Sequence, residues 1–183
     1  MAAVIVIVVI VVVLGLMLWI GYNGLVRRRV QVDNAWSQID VQLKRRHDLI
    51  PNLVETVKGY AAHERQTLDS VTQARANAIS AQGAPQQAAA ENALTGALRS
   101  LFAVAESYPD LKANQNFLSL QEELTSTEDR IAYARQFYND SVGSYNTKIQ
   151  QFPTALIASM FHFTARQFFD AEPGDTAPVQ VQF

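Results

Sequence analysis

The chain begins with an unbroken apolar run, and apolar residues then recur every three or four positions. Residues 2–21 contain no polar side chain, and roughly 20 such residues are enough for a helix to cross ~30 Å of hydrocarbon. The pattern predicts a transmembrane anchor over residues 1–22, with Trp19 and Tyr22 at its edge, where aromatic rings favour the headgroup region. The alternative, a cleaved signal peptide, requires a basic start, a shorter apolar run and a small-residue cleavage site that this sequence does not offer.

Beyond the anchor, helical spacing predicts an all-α domain over residues 23–153. Helices are expected over residues 24–50 and 52–80, then from a Gln/Ala/Pro-rich loop to Pro109, and finally over residues 117–152. Because each apolar stripe is narrow, the helices are expected to bury their stripes against one another. The sequence therefore predicts an antiparallel bundle of about four long helices.

Pro51 leaves the helix count open. Proline lacks the N–H that continues helical hydrogen bonding, so Pro51 either reverses the chain between two helices or kinks a single long helix. We favour the reversal.

Large apolar and aromatic side chains on these stripes are expected to pack the bundle. They are Trp36, Ile39, Leu43, Phe117, Leu124, Ile131, Tyr138 and Tyr145. Tyr138 and Tyr145 each precede an asparagine and lie seven positions apart, on one helix face. A buried tyrosine needs a partner for its hydroxyl, and asparagine can bond across helices. The Tyr–Asn pairs are interpreted as packing devices.

The C-terminal part is predicted to form an amphipathic apolar helix over residues 154–170 and a tail over residues 171–183. Apolar side chains gather on one side of this helix, and the expected assembly surface comprises Met160, Phe161, Phe163 and Phe168. A second protein or the membrane interface would cover that surface, and the lack of basic residues other than Arg166 favours protein, hence a homo-oligomer. The tail ends in VQVQF, whose alternation predicts a short strand.

The charge distribution predicts topology. All 15 basic and 17 acidic residues follow residue 26, and Arg27, Arg28 and Arg29 come directly after the span. Positive residues beside a span remain in the cytoplasm, so the N-terminus is expected outside and the C-terminal domain in the cytoplasm. A net charge of −2 argues against nucleic-acid binding. The basic clusters, Lys44–Arg46 included, are interpreted as topology signals and contacts with the anionic lipid bilayer.

Candidate chemistry is sparse. The chain has no cysteine, which excludes disulfides and thiolate metal sites. His63-Glu64 starts a zinc-protease pattern, but Thr67 occupies the position of the second histidine, so a solvated helix face is the preferred interpretation. Nucleophile-elbow and nucleotide-loop patterns do not occur. We expect no enzyme activity, cofactor, metal or small-molecule substrate.

The blocks DLIPNL and YPDLKAN, together with the spaced Tyr–Asn pairs, resemble the LemA family of bacterial membrane proteins. The resemblance runs from Tyr22 to about Phe163. It implies a short external N-terminus, one span of the inner membrane, a cytoplasmic helical bundle, and neither activity nor cofactor. A relative in magnetotactic bacteria is tied to magnetosome membrane formation, which points to membrane shaping.

The leading functional hypothesis is a non-enzymatic, self-assembling membrane scaffold. The alternative is an adaptor that binds one protein client, such as a membrane protease or a signalling protein. Particle size separates the two, because a scaffold forms large homo-oligomers whereas an adaptor stays small until its client is added.

Overall fold

The computed structural model describes residues 1–169, which form six helices. These are α1 (Ala2–Lys58), α2 (Arg65–Ser80), α3 (Ala84–Ala105), α4 (Pro109–Lys112), α5 (Gln115–Gln150) and α6 (Thr154–Met160). Residues 1–169 contain no strand, and α1 is long and apolar enough to cross a membrane. The predicted all-α fold with one apolar N-terminal helix and a bundle is thereby confirmed. The predicted strand VQVQF lies outside the described residues.

Helix α1 continues through Pro51, so the predicted reversal at that residue is wrong. The proline ring removes the N–H that would bond to the carbonyl oxygen of His47. Arg75 of α2 donates its Nε–H to that carbonyl oxygen at 2.7 Å, which satisfies the acceptor that proline leaves without a partner. The chain reverses at residues 59–64 instead, and the predicted helix over residues 52–80 is divided between α1 and α2.

The long helices alternate in direction. Helix α5 runs antiparallel to α1, as the pairing of Trp36 with Tyr138 and of Arg45 with Glu123 shows. Helices α2 and α3 form a second antiparallel pair, which packs against the part of α1 farther from the span. This arrangement buries a core of leucine, valine, alanine and phenylalanine from α1, α2, α3 and α5.

Different elements cover the membrane-proximal part of the α1–α5 pair. Here α6 packs on α1 through Ile157 and Leu25. Residues 163–169, which we call the C-terminal strap, lie along α1 and α5 and place Phe169 in the core beside Trp36. The strap and α6 thus cover the pair near the span, where Ala84 and Ala88 at the start of α3 join the same core cluster as Phe169.

The predicted amphipathic helix over residues 154–170 is wrong beyond Met160. His162 has a φ of 55°, in the left-handed region, which histidine tolerates better than most residues. The N–H of Phe163 then bonds back to the carbonyl of Ala158 at 2.9 Å, the pattern of a Schellman helix end. With no glycine or proline at this point, the sequence carries no obvious stop signal, so the helical-wheel face that included Phe163 and Phe168 does not form.

Candidate functional site

The two Tyr–Asn pairs of α5 bind the backbone of the C-terminal strap. The Asn139 side chain donates to the carbonyl of Phe169 at 3.1 Å and accepts from the N–H of the same residue at 2.8 Å. Asn146 does the same with Arg166, at 2.8 and 2.9 Å. Each asparagine therefore satisfies both backbone groups of one strap residue, as a neighbouring strand would.

The tyrosine hydroxyls complete this arrangement, which we call the clamp (Tyr138, Asn139, Tyr145 and Asn146). Tyr138 donates to the carbonyl of Gln167 at 2.9 Å, and Tyr145 donates to the carbonyl of Thr164 at 3.0 Å. Seven helical residues span about 10.5 Å, and three extended residues span about 10 Å. The heptad spacing of the pairs thus matches the three-residue spacing of their partners along the strap.

Side chains of α1 hold the other side of the strap. Asp33 accepts from Arg166 at 2.8 Å in an exposed ion pair, and Arg29 lies over the ring of Phe163. At the far end of the strap, Phe169 lies between Trp36 and Arg135. Four of the clamp's six bonds reach carbonyl oxygens and two reach N–H groups, so it recognises chain conformation more than side-chain identity.

Burial raises the pKa of both clamp tyrosines above the usual 10.0, and the nearby Arg166 guanidinium opposes this increase by favouring the phenolate. Tyr138 and Tyr145 are therefore neutral donors at physiological pH, as their bonds to carbonyl oxygens require. The clamp holds the backbone of the strap in place and contains no nucleophile or base in a reactive arrangement.

The predicted assembly residues divide between two environments. Met160 and Phe161, at the end of α6, and Phe168, on the strap, have exposed side chains, whereas Phe163 is half-buried against Tyr22. Phe161 also contacts Tyr22, with ring centroids 4.8 Å apart and the rings tilted by 60°. Helix α6 therefore lies at the level where the apolar segment of α1 ends.

The predicted bundle residues lie mostly in the interior. Trp36 is half-buried between Tyr138 and Phe169. The remaining members of the set are buried: Ile39, Leu43, Phe117, Leu124, Ile131, Tyr138 and Tyr145.

The predicted topology residues lie around the end of the apolar segment. Trp19 is exposed on it, Arg27 and Arg28 face the α6 side of α1, and Arg29 faces the strap. Arg28 also donates to the Ser144 hydroxyl of α5.

Sequence reasoning missed a buried polar network in the centre of the bundle. Arg46 and Glu91 pair at 3.1 Å, and His47 Nε2 lies 2.8 Å from the other oxygen of the same carboxylate. Glu128 of α5 pairs with Arg46 at 3.2 Å, and Gln87 donates to Glu91 at 2.9 Å.

The interpretation of Arg46 as a lipid contact is therefore wrong, since Arg46 lies about 38 Å along the helix from Gly21 and is buried. The sequence signal that could have revealed this network is the adjacent pair Arg46 and His47 within an apolar stripe.

His63 and Glu64 lie in the turn between α1 and α2, so their interpretation as a helix face is also wrong. Glu64 accepts a hydrogen bond from the hydroxyl of Tyr108 at 3.1 Å, and this bond raises the pKa of that phenol. The described residues contain no group of three His, Asp or Glu side chains that could hold a metal ion.

Comparison with known proteins identifies the family of this chain. The model of the LemA family matches residues 35–183, which include most of the bundle and the whole clamp. The chain belongs to the LemA family. Protein LemA of Metamycoplasma hominis is 32% identical over 140 residues, which cover 74% of this chain and 63% of the relative.

Magnetosome proteins are also similar to this LemA-family chain. Magnetosome protein MamQ 1 of Paramagnetospirillum magneticum is 27% identical over 188 residues, covering 88% of this chain and 69% of the relative. Magnetosome protein MamQ of Magnetospirillum gryphiswaldense is 26% identical over the same shares. These family names denote no catalytic activity, and together with the apolar segment of α1 they indicate a membrane protein.

Proposed function

We propose that this LemA-family chain is a non-enzymatic, self-assembling scaffold of the bacterial inner membrane that organises or shapes the bilayer. The observation that carries the proposal is the continuity of α1, a single helix of 57 residues that contains both the apolar segment and one long member of the bundle. Because no loop separates the two parts, the bundle is held at a fixed angle to the span. A scaffold needs such a fixed angle, whereas an enzyme that is tethered by a linker does not need one.

The polar interior supports a non-enzymatic role. In the buried network, both carboxylate oxygens of Glu91 are occupied by Arg46, His47 and Gln87. Such a group is a structural ion pair, because both oxygens are bonded inside the bundle and Glu91 is buried. The MamQ relatives are named magnetosome proteins, and the proposal extends a role in organising membranes from them to this chain.

Exposed apolar side chains on α6 support self-assembly. Leu156 and Met160 are 64% and 61% exposed, although they lie beside the well-packed contact of Ile157 with Leu25. In the scaffold, a neighbouring copy covers these two side chains at the membrane surface. Apolar groups of this size favour burial at an interface.

Light scattering of the full-length protein in detergent tests the assembly. The Leu156→Gln/Met160→Gln variant is expected to have a lower mass than the parent, while the Ile79→Gln/Leu118→Gln variant, which changes two exposed apolar residues elsewhere, keeps the parental mass. An unchanged mass in the α6 variant, or a parent that is monomeric, contradicts self-assembly through this surface. Electron microscopy of the parent particles then shows whether they are closed or extended.

Orientation is tested by reporter fusions at Phe183. The arginines that directly follow the span favour a cytoplasmic bundle. A reporter active in the cytoplasm is therefore expected to function at this position, and a reporter active in the periplasm is expected to be silent. A functional periplasmic reporter would place the bundle, and its role, on the opposite side.

The clamp favours the second candidate function, an adaptor for one protein client. Its bonds reach only backbone groups of the strap, so an extended segment of another protein fits the same donors and acceptors. An adaptor predicts particles that stay small in detergent and grow only when the client is added.

A further inference from the structure

A groove of about 760 Å³ lies between α1 and α6, at the level where the apolar segment of α1 ends. Its lower wall is entirely apolar and consists of Val13, Leu16, Met17 and Ile20. Its upper wall contains three basic residues, Arg27 and Arg28 from α1 and Lys148 from α5. No acidic residue lines the groove among the described residues.

Two glycines shape this groove. A Cβ at Gly21 would overlap Cδ1 of Ile157, so Gly21 permits the close approach of α6 to α1. A Cβ at Gly24 would meet no atom within 4 Å, so Gly24 leaves open space between the apolar and basic parts. The α1 residues that line the groove recur every three or four positions, which places them on one face of the helix.

The vertical order of the groove follows the layers of a bilayer leaflet. Ile20 is the last residue of the apolar wall, and Arg27 lies about 10 Å farther along the helix axis. Side chains of an α-helix tilt toward its N-terminus, which here is toward the membrane, so the guanidinium groups reach down to phosphate level. Neither Arg27 nor Lys148 has an ion-pair partner within residues 1–169.

We propose that the groove binds one anionic phospholipid. An acyl chain lies along the apolar wall, and the phosphate lies between Arg27, Arg28 and Lys148. A net negative headgroup is favoured over a zwitterionic one because a choline or ethanolamine cation would be held among three positive side chains. The apolar wall selects a lipid over a free phosphate. This inference requires the N-terminal part of α1 to lie in the bilayer, but it is independent of self-assembly.

Native mass spectrometry of the full-length protein in detergent tests the site, with dioleoylphosphatidylglycerol and dioleoylphosphatidylcholine as probes. One phosphatidylglycerol per chain is expected to bind at least tenfold more tightly than phosphatidylcholine. Gly24→Leu fills the open space and is expected to weaken phosphatidylglycerol binding at least tenfold. Arg27→Gln/Lys148→Gln is expected to weaken it about 25-fold, since each cation near anionic lipid contributes about fivefold.

Matched variants separate the groove from general effects. Gly15→Leu adds the same side chain in equally open space, on the opposite face of α1. Arg29→Gln removes a charge at the same height, but from a side chain that lies over Phe163. Both are expected to bind phosphatidylglycerol like the parent, and all variants are checked for parental thermal melting.

Three results would each overturn the inference. They are equal binding of the two lipids by the parent, undiminished binding in a Gly24→Leu protein that melts like the parent, and complete displacement of phosphatidylglycerol by millimolar inorganic phosphate. The same spectra report the number of chains per particle. A monomeric protein that still binds one lipid therefore contradicts the scaffold but not the lipid site.

Discussion

Replacing Asn139 by alanine should release the C-terminal strap without unfolding the bundle. The side chain makes two hydrogen bonds to the backbone of Phe169, and a typical bond of this kind contributes about 1 kcal/mol net. Their loss, about 2 kcal/mol, corresponds to a roughly 30-fold larger open population of the strap. The core around α2 and α3 contains neither residue and should keep its stability.

Limited trypsin digestion of the full-length protein measures this population. Cleavage after Arg166 requires the strap to leave the clamp, and its rate follows the open fraction when reclosing is fast relative to cleavage. Mass spectrometry of the cleaved chain should show a rate increase of about 30-fold for Asn139→Ala and a similar one for Asn146→Ala. If the bonds of Asn139 and those of Asn146 act cooperatively, the double variant is cleaved almost as fast as an unstructured peptide.

Asn116→Ala is the matched control, since this asparagine is exposed near the start of the same helix. It should be cleaved like the parent. Asp33→Asn removes only the exposed ion pair with Arg166, which contributes at most about 1 kcal/mol. A rate for Asn139→Ala within about threefold of the parent would refute the reasoning, because two lost bonds predict a much larger change.

Three other predictions concern the interior, the pH response and α6. Arg46→Met leaves Glu91 buried with one partner fewer and should lower the free energy of unfolding by about 3–5 kcal/mol in urea titrations, whereas Arg45→Met, at an exposed pair, should change it by less than about 1 kcal/mol. Because burial raises the pKa of Tyr138 and Tyr145 in the folded state, the unfolded chain ionises first as the pH passes about 10, so stability should fall above that pH. Tyr138→Phe/Tyr145→Phe should be less stable at neutral pH but less sensitive between about pH 9 and 11; equal slopes would contradict this assignment. Gly21→Leu should lower the melting temperature by displacing Ile157, whereas Gly24→Leu, in open space, should not.

The sequence predicts those parts of the fold that depend on periodic burial. Ile39 on α1, and Ile131 and Tyr138 on α5, belong to two stripes whose spacing alone places the residues of each stripe on one face of its helix, and all three are buried. The continuation of α1 through Pro51 depends instead on Arg75, whose bond to the carbonyl of His47 connects residues 28 positions apart. Local propensity contains no information about a partner at that distance.

The strap shows a second limit of sequence reasoning. The Tyr–Asn spacing indicates a polar contact on one face of α5, but the partner is a backbone, whose donors and acceptors are the same for every sequence. Residues 163–169 therefore carry no complementary pattern that would identify them. The end of α6 at Met160 is equally hidden, since the left-handed conformation of His162 is uncommon and tertiary contacts of Phe163 with Tyr22 stabilise it.

The unbroken α1 also fixes a rotational phase between bilayer and bundle. One residue inserted near residue 23 would turn everything above it by about 100° and raise it by 1.5 Å, so the bundle would point toward a different azimuth in the membrane plane. In a ring or lattice of copies, every subunit would turn by the same angle, and neighbours would no longer present matching sides. Seven inserted residues would nearly restore the azimuth while lifting the bundle about 10.5 Å. In such a protein the length of the helix is therefore a geometric parameter of the assembly, one that can change in steps of a heptad more easily than by single residues.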